Sequence, residues 1–217
     1  MGLANSCVMA ALVLAGVLMP FNVHARSVDS AEVSAIGVTP RPAQAIRVSA
    51  AAQAMAGRVI AIADHRQLPF AIIDKQAALI AVYGADGTLA GTSAVLLGLD
   101  PGDASVPGVG ERAQRGHLRH GDRTTPAGRF VSEPGHNRDG EAVVWMDYGA
   151  ALAIHRLRAG TGQPERARRL ASGRTSDKRA SAGCVVVPVV FYESVISPLL
   201  GAGPGVVYVM PEGRAGG

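Results

Sequence analysis

The sequence predicts a mainly β domain with a few helices, and three observations lead there. Gly (27) and Pro (13) are abundant among the 217 residues, a load that suits short strands joined by many turns better than a helical bundle. Short apolar runs recur between turn signals, and no internal repeat is visible. Hydrophobic residues make up 48% and charged residues 18%, enough for a core and too little charge for a disordered chain. The length allows one domain, or one domain with a tail. Aromatic residues are only 4%, which argues against a sugar-stacking or strand-stacking surface built from many rings. A formal charge of +4 is mildly basic and does not by itself indicate nucleic acid.

The elements follow in order. Residues 1–25 contain no Lys, Arg, Asp or Glu, and an apolar run from Val8 to Met19 ends at Pro20. Val23-His24-Ala25 then offers small side chains where a signal peptidase reads, so residues 1–25 are expected to be a cleavable secretory signal. A retained membrane anchor is the alternative, although the run is short for a bilayer span. Residues 26–66 read as a linker ending in Thr39-Pro40-Arg41-Pro42, followed by an amphipathic helix over 43–63. The main domain occupies 67–212, and 213–217 is a flexible Gly-rich tail.

Within the main domain Phe70–Ile73, Ala77–Tyr83 and Thr88–Leu97 read as three strands. Asp74-Lys75-Gln76 and the Asp86-Gly87 turn signal join them as an antiparallel meander. Residues 98–125 are loop-like. Further strands are expected at Gly128–Ser132, Ala142–Asp147, Ala151–His155 and Val185–Val187. Pro188 opens a helix through about Leu200, and Val206–Met210 is the last strand.

The dinucleotide-like Gly108-Val-Gly110-Glu-Arg-Ala113 lies in a loop without a βαβ frame and is dismissed. His117-Leu-Arg-His120 with Asp122 lacks further ligands, so no metal and no other cofactor is expected. The stronger candidate is Ser181-Ala-Gly183-Cys184. Loss of the signal removes Cys7, leaving Cys184 as the single cysteine of a secreted chain. It is then an inert core thiol, half of an intermolecular bridge, or a reactive group. A thiol attacks as thiolate and needs a nearby base or positive field. His155, at the end of its strand, meets that need if its strand neighbours the one after Cys184. Gly183 allows close backbone approach to a substrate, and the Cys184 N–H can hold an oxyanion. The competing reading is a structural cysteine and a surface histidine that never meet.

Thr125-Pro126-Ala-Gly128-Arg-Phe130 resembles a T-P-x-G-x-F segment. Ile154-His155, with Ser181-Ala-Gly183-Cys184-Val185 downstream, resembles the signature of the L,D-transpeptidase (YkuD-type) catalytic domain. Ile72-Ile-Asp-Lys75 with Ala78–Tyr83 is similar to that family's first hairpin, so the likeness runs from about Phe70 to Met210. It implies a β-sandwich or barrel-like domain acting on peptidoglycan stem peptides through a Cys184 acyl-enzyme, with His155 as base. Gly183 and Ser181 would support the oxyanion and loop, the latter through the loop itself or the histidine's second nitrogen. Arg156 stands where the family usually has glycine, and Val186 where it has Arg or Asn.

Residues 156–183 hold eight Lys and Arg against two acidic side chains. Such a segment beside the thiol is expected to attract stem carboxylates, with Arg156 and Arg179 as substrate contacts, and to favour thiolate. The resulting expectation is a secreted, periplasmic cysteine acyltransferase with an amine acceptor and no nucleic-acid partner. No integral membrane span remains after signal cleavage, and the oligomeric state is unknown from sequence. Alternatives are a cysteine hydrolase of murein or murein-linked protein, an inactive peptidoglycan-binding module, and a secreted β domain with a structural thiol. N-terminal sequencing of the exported protein should begin at Arg26; a secreted form beginning at Met1 would contradict the signal.

Overall fold

The core of the molecule is a single eight-stranded sheet that nearly closes on itself, seen in a computed structural model that describes residues 46–213. The segments expected as signal and linker, and the last residues of the expected tail, lie outside the described residues. In chain order the strands are β1 (Phe70–Asp74), β2 (Leu79–Tyr83), β3 (Leu89–Ala94), β4 (Leu97–Gly98), β5 (Gly128–His136), β6 (Ala142–Asp147), β7 (Leu152–Arg156), β8 (Arg179–Ser181), β9 (Val185–Val187) and β10 (Gly205–Val209). The large sheet runs β3-β2-β1-β10-β5-β6-β7-β9, and β4 pairs with β8 in a small second sheet. β1 and β10 are parallel, as are β7 and β9; the other neighbours in the large sheet are antiparallel. The expected meander is β1–β2–β3.

Closure comes from one bridge. Leu96, just past β3, exchanges both backbone hydrogen bonds with Val186 of β9 at 2.8 and 2.9 Å. That joins the chain beyond one edge of the sheet to the other edge and satisfies backbone groups an open edge would leave bare.

Burial explains the strand patterns. Ala71, Ile73, Ile80, Val82, Val144, Ile154, Val185, Val187, Val207 and Val209 point to the enclosed side. There they meet Tyr192, Ile196 and Leu200 of the helical segment that Pro188 opens: α4 (Val189–Phe191), a π turn (Tyr192–Ile196) and α5 (Ser197–Leu199). The other face of β1, β2 and β10 carries Phe70, Ile72, Leu79, Ala81 and Val206 under helix α1 (Ala50–Ala61). Buried on both faces, these strands read as continuous apolar runs instead of alternating ones. Ser49 caps α1 by accepting from the Ala52 N–H at 3.1 Å and donates to Asp74 at 2.5 Å, tying the helix to the end of β1.

The expected loop and the Arg-rich segment both contain structure. Residues 98–125 hold the short helix α2 (Val109–Gln114), and residues 156–183 hold α3 (Gln163–Ala171), a 3-10 turn (Thr175–Lys178) and β8. Only Leu170 of α3 is buried, so hydrophobic periodicity cannot reveal it. Its support is polar. Glu165 pairs with Arg168 and Arg169, and the buried Lys178 ammonium donates to the carbonyls of Arg169, Leu170 and Ser172 at 2.6–2.7 Å. A cation there satisfies the last carbonyls and the negative end of the helix dipole.

Candidate active site

Strand register brings the two candidate side chains, His155 and Cys184, to one face. In the parallel β7–β9 pair Ile154 lies opposite Val185 and His155 opposite Val186. Ile154, Val185 and Val187 fill the core, so alternation turns His155, Val186 and, two residues before Val186, Cys184 to the outer face. A cavity of about 370 Å³ opens there, lined by His155, Arg158, Arg166, Ser181, Cys184 and Val186. A smaller pocket of about 60 Å³ also borders Cys184, lined by Val106, Val109, Thr124 and Ala150 among others.

The loop before Cys184 is braced by hydroxyls. Ser181 Oγ accepts from the Gly183 N–H at 3.1 Å and donates to the Cys184 carbonyl at 2.6 Å; it bonds the loop and not the imidazole. Gly183 has φ near 125°, and a Cβ there would stand 3.0 Å from the Thr124 carbonyl, so glycine is required. The Gly183 carbonyl accepts from Thr125 Oγ1 at 2.7 Å, and that hydroxyl accepts from the Gly98 N–H at 2.8 Å. Fully buried Thr125 therefore fastens the cysteine loop to β4. Its neighbourhood is recognisable in sequence as Thr-Pro, but its partner 58 residues away is not.

His155 Nδ1 lies 2.8 Å from the Arg156 carbonyl. A carbonyl can only accept, so Nδ1 carries the proton and Nε2 keeps a free lone pair. Burial pushes the imidazole pKa down to about 4, reinforced by Arg158 and Arg166, while the Arg156 carbonyl and Glu141 oppose the shift. Burial also pushes the Cys184 thiol up, against a hydrogen bond from the Ala153 backbone and the field of Arg158. The thiol is directed at the Ala151 carbonyl at 3.4 Å, and among the described residues no hydrogen bond joins it to His155. The resting pair is thus a neutral thiol beside a neutral imidazole. The expectation that the basic segment favours thiolate holds for Arg158 alone, and desolvation outweighs it.

The arginines are sorted by strand geometry. Arg156 alternates to the face opposite His155, where its charge acts on Tyr192. Arg179 is ion-paired with Glu212 and donates to the Gly98 carbonyl at 3.3 Å. Neither lines the cavity at Cys184. The cations that do are Arg158, 2.8 Å from Glu141, and Arg166 on the first turns of α3. Among the described residues no group of His, Cys, Asp and Glu side chains is placed to hold a metal ion. Asp122, next to the dismissed histidines, is instead gripped by Arg112 through two hydrogen bonds of 2.6 and 2.7 Å, which hold its carboxyl down at about 2. No described helix is long and apolar enough to cross a membrane.

No protein-family model matches this chain, and no curated protein matches it. Several of the solved structures it resembles are L,D-transpeptidase catalytic domains. That of Enterococcus faecium is 21% identical over 66% of this chain and 98% of its own, with a TM-score of 0.37. The L,D-transpeptidase of Xylanimonas cellulosilytica is 18% identical over 66% of this chain and 60% of its own, TM-score 0.40. That of Mycobacterium smegmatis is 14% identical over 65% and 58%, TM-score 0.35. This chain thus spans less than two thirds of the latter two structures.

Two measurements check the site's construction. Thr125→Val leaves the buried Gly183 carbonyl and Gly98 N–H unpaired and should cost about 1–3 kcal/mol in denaturant unfolding, with Thr125→Ser restoring most of it. Unchanged unfolding would remove the brace. For His155, a folded pKa near 4 lies below the unfolded value of 6.5. Its neutral form therefore contributes stability above pH 6.5 that is lost as the pH falls toward 4. The loss should reach about 3 kcal/mol and be absent from His155→Gln. Parallel pH profiles for the two proteins would contradict the burial.

Proposed function

We propose that this protein is a secreted, periplasmic cysteine acyltransferase of the L,D-transpeptidase type, acting on peptidoglycan stem peptides. The observation that supports it most is the β7–β9 register, which turns His155 and Cys184 to one face and into one cavity. The sequence resemblance through Thr125-Pro126, His155 and Ser181–Cys184 supports the same reading.

Because both groups rest neutral, His155 acts as general base during attack instead of holding a preformed thiolate. As Cys184 Sγ adds to the stem carbonyl, its proton passes to His155 Nε2. The Nδ1–H contact to the Arg156 carbonyl keeps the ring oriented and favours the imidazolium that forms. The Gly183 N–H is engaged by Ser181, so the Cys184 N–H is the loop's donor for the oxyanion. Collapse breaks the peptide C–N bond, and His155 returns the proton to the leaving amine. A second amine, deprotonated by His155, then attacks the thioester and releases the thiol. Arg158 and Arg166 supply positive charge where stem carboxylates would lie.

The test supplies a tetrapeptide stem with and without excess free D-amino acid and resolves products by mass. Exchange of the terminal residue is expected, with His155→Gln slowing it about 10²–10⁴-fold. Only the shortened tripeptide, whatever the amine concentration, would mean that water is the acceptor. Full turnover by His155→Gln would remove the mechanism.

A further inference from the structure

A cavity larger than the one at the thiol lies beside it. It measures about 750 Å³ and is lined by Trp145, Tyr148, His136, Asp139, Ala151 and Arg158 among others. Ala151 and Arg158 also border the two pockets that reach Cys184, so the spaces adjoin. From this we propose that the cavity is a saccharide subsite, which seats the sugar to which the stem peptide is attached. The inference rests on the stem-peptide reading above and extends it to the glycan.

The rings are few in this chain, and here they are concentrated. Trp145 is the only tryptophan, and Tyr148 is the most exposed tyrosine side chain, at 70%. Their centroids are 5.0 Å apart with planes at 73°, forming an aromatic corner. Pyranose C–H faces lie against the electron-rich face of such rings, while the sugar's hydroxyls take partners from the rim. The rim offers the exposed His136 and Asp139. Its shape is held from both sides. Asn137 Oδ1 accepts from the Asp139 and Glu141 N–H groups at 2.9 Å, fixing the β5–β6 turn. Arg138 then donates to the Gln114 carbonyl at 2.9 Å, tying that turn to the end of α2.

The floor is equally specific. A Cβ on Gly135 would stand 2.7 Å from Trp145 Cδ1 and 2.8 Å from Nε1, so the indole rests on bare backbone. Val144 and Met146 turn into the core, which sends Trp145 outward, to the face that carries His155 and Cys184.

Register sets the distance from ring to thiol. Trp145 lies opposite Ala153 on β7, and Ala153 is one step before Ile154, as Cys184 is before Val185. Trp145, Ala153 and Cys184 therefore form one row across three strands. Two strand spacings amount to about 10 Å, with only a methyl group between. In a tetrapeptide donor three residues precede the scissile carbonyl, and three extended residues span about 10 Å. With the carbonyl at Cys184, the sugar end of the stem lands at the aromatic corner.

The single tryptophan is its own reporter. The full-length Cys184→Ala protein is titrated with an N-acetylglucosamine oligosaccharide while its emission is recorded. A saturable change in Trp145 emission is expected, with affinity about tenfold weaker in Tyr148→Ala. Tyr148 is exposed enough that this variant keeps the fold. Emission unchanged to millimolar saccharide, or an affinity indifferent to Tyr148→Ala, overturns the subsite. The titration needs no chemistry, so its outcome is separate from that of the acyl-transfer reading. If free tetrapeptide acylates Cys184 while the saccharide leaves emission unchanged, the subsite falls and the reaction stands.

Discussion

The parallel pairing of β7 with β9 is the constraint on which the site depends. A strand alternates its faces with a period of two, so a slip of one residue would send His155 into the core and Ile154 to the cavity. Ile154 and Val185, both fully buried, oppose that slip through the apolar surface it would expose, each side chain contributing about 1.5–3 kcal/mol. β9 is only three residues long and is held from two directions, by β7 on one side and by the Leu96–Val186 bridge on the other. The Thr125 and Ser181 hydroxyls then fix the turn that delivers Cys184 to the start of that strand. The pairing, the Leu96–Val186 bridge and the two hydroxyls together fix where Cys184 stands.

The electrostatics follow from where that pairing leaves the side chains. His155 and Cys184 are set into a concave wall, and desolvation disfavours the charged form of each. Arg158 pushes in one direction for both groups, stabilising a thiolate and destabilising an imidazolium, and Arg166 adds to the second effect. In the proposed reaction, an incoming stem carboxylate would neutralise part of that field and ease protonation of His155. Arg156 and Arg179 lie beyond this effect, one across the sheet and one in its pair with Glu212.

Much of the fold is legible in the residues. Phe70–Ile73, Ala77–Tyr83 and the segment after Thr88 show their strands because they are apolar and bounded by Asp-Gly or Asp-Lys turns, and Pro188 marks the helical segment behind β9. The sequence leaves open whether the His155 strand neighbours the one after Cys184; β7 and β9 are in fact paired. What the pattern hides is polar or local. α3 has one buried residue and is held by Lys178, although Gly162, Pro164, Glu165 and the Arg168-Arg169 pair are the start and stop signals of a helix. α2 is one and a half turns long with Gly110 inside it. Arg156 adjoins His155 in sequence, but period-two alternation places adjacent strand residues on opposite faces. The low aromatic fraction likewise conceals that Trp145 and Tyr148 stand together, since their approach depends on the β6–β7 turn and on Gly135.

The central claim is that Cys184 forms a thioester with a stem peptide, with His155 as its base. The most direct measurement is the intact mass of the protein after incubation with a tetrapeptide stem in the absence of an amine acceptor. The account predicts an added tripeptide acyl group that maps to Cys184, is absent from Cys184→Ala, and forms far more slowly in His155→Gln. An unmodified mass under conditions where iodoacetamide alkylates Cys184 would contradict it.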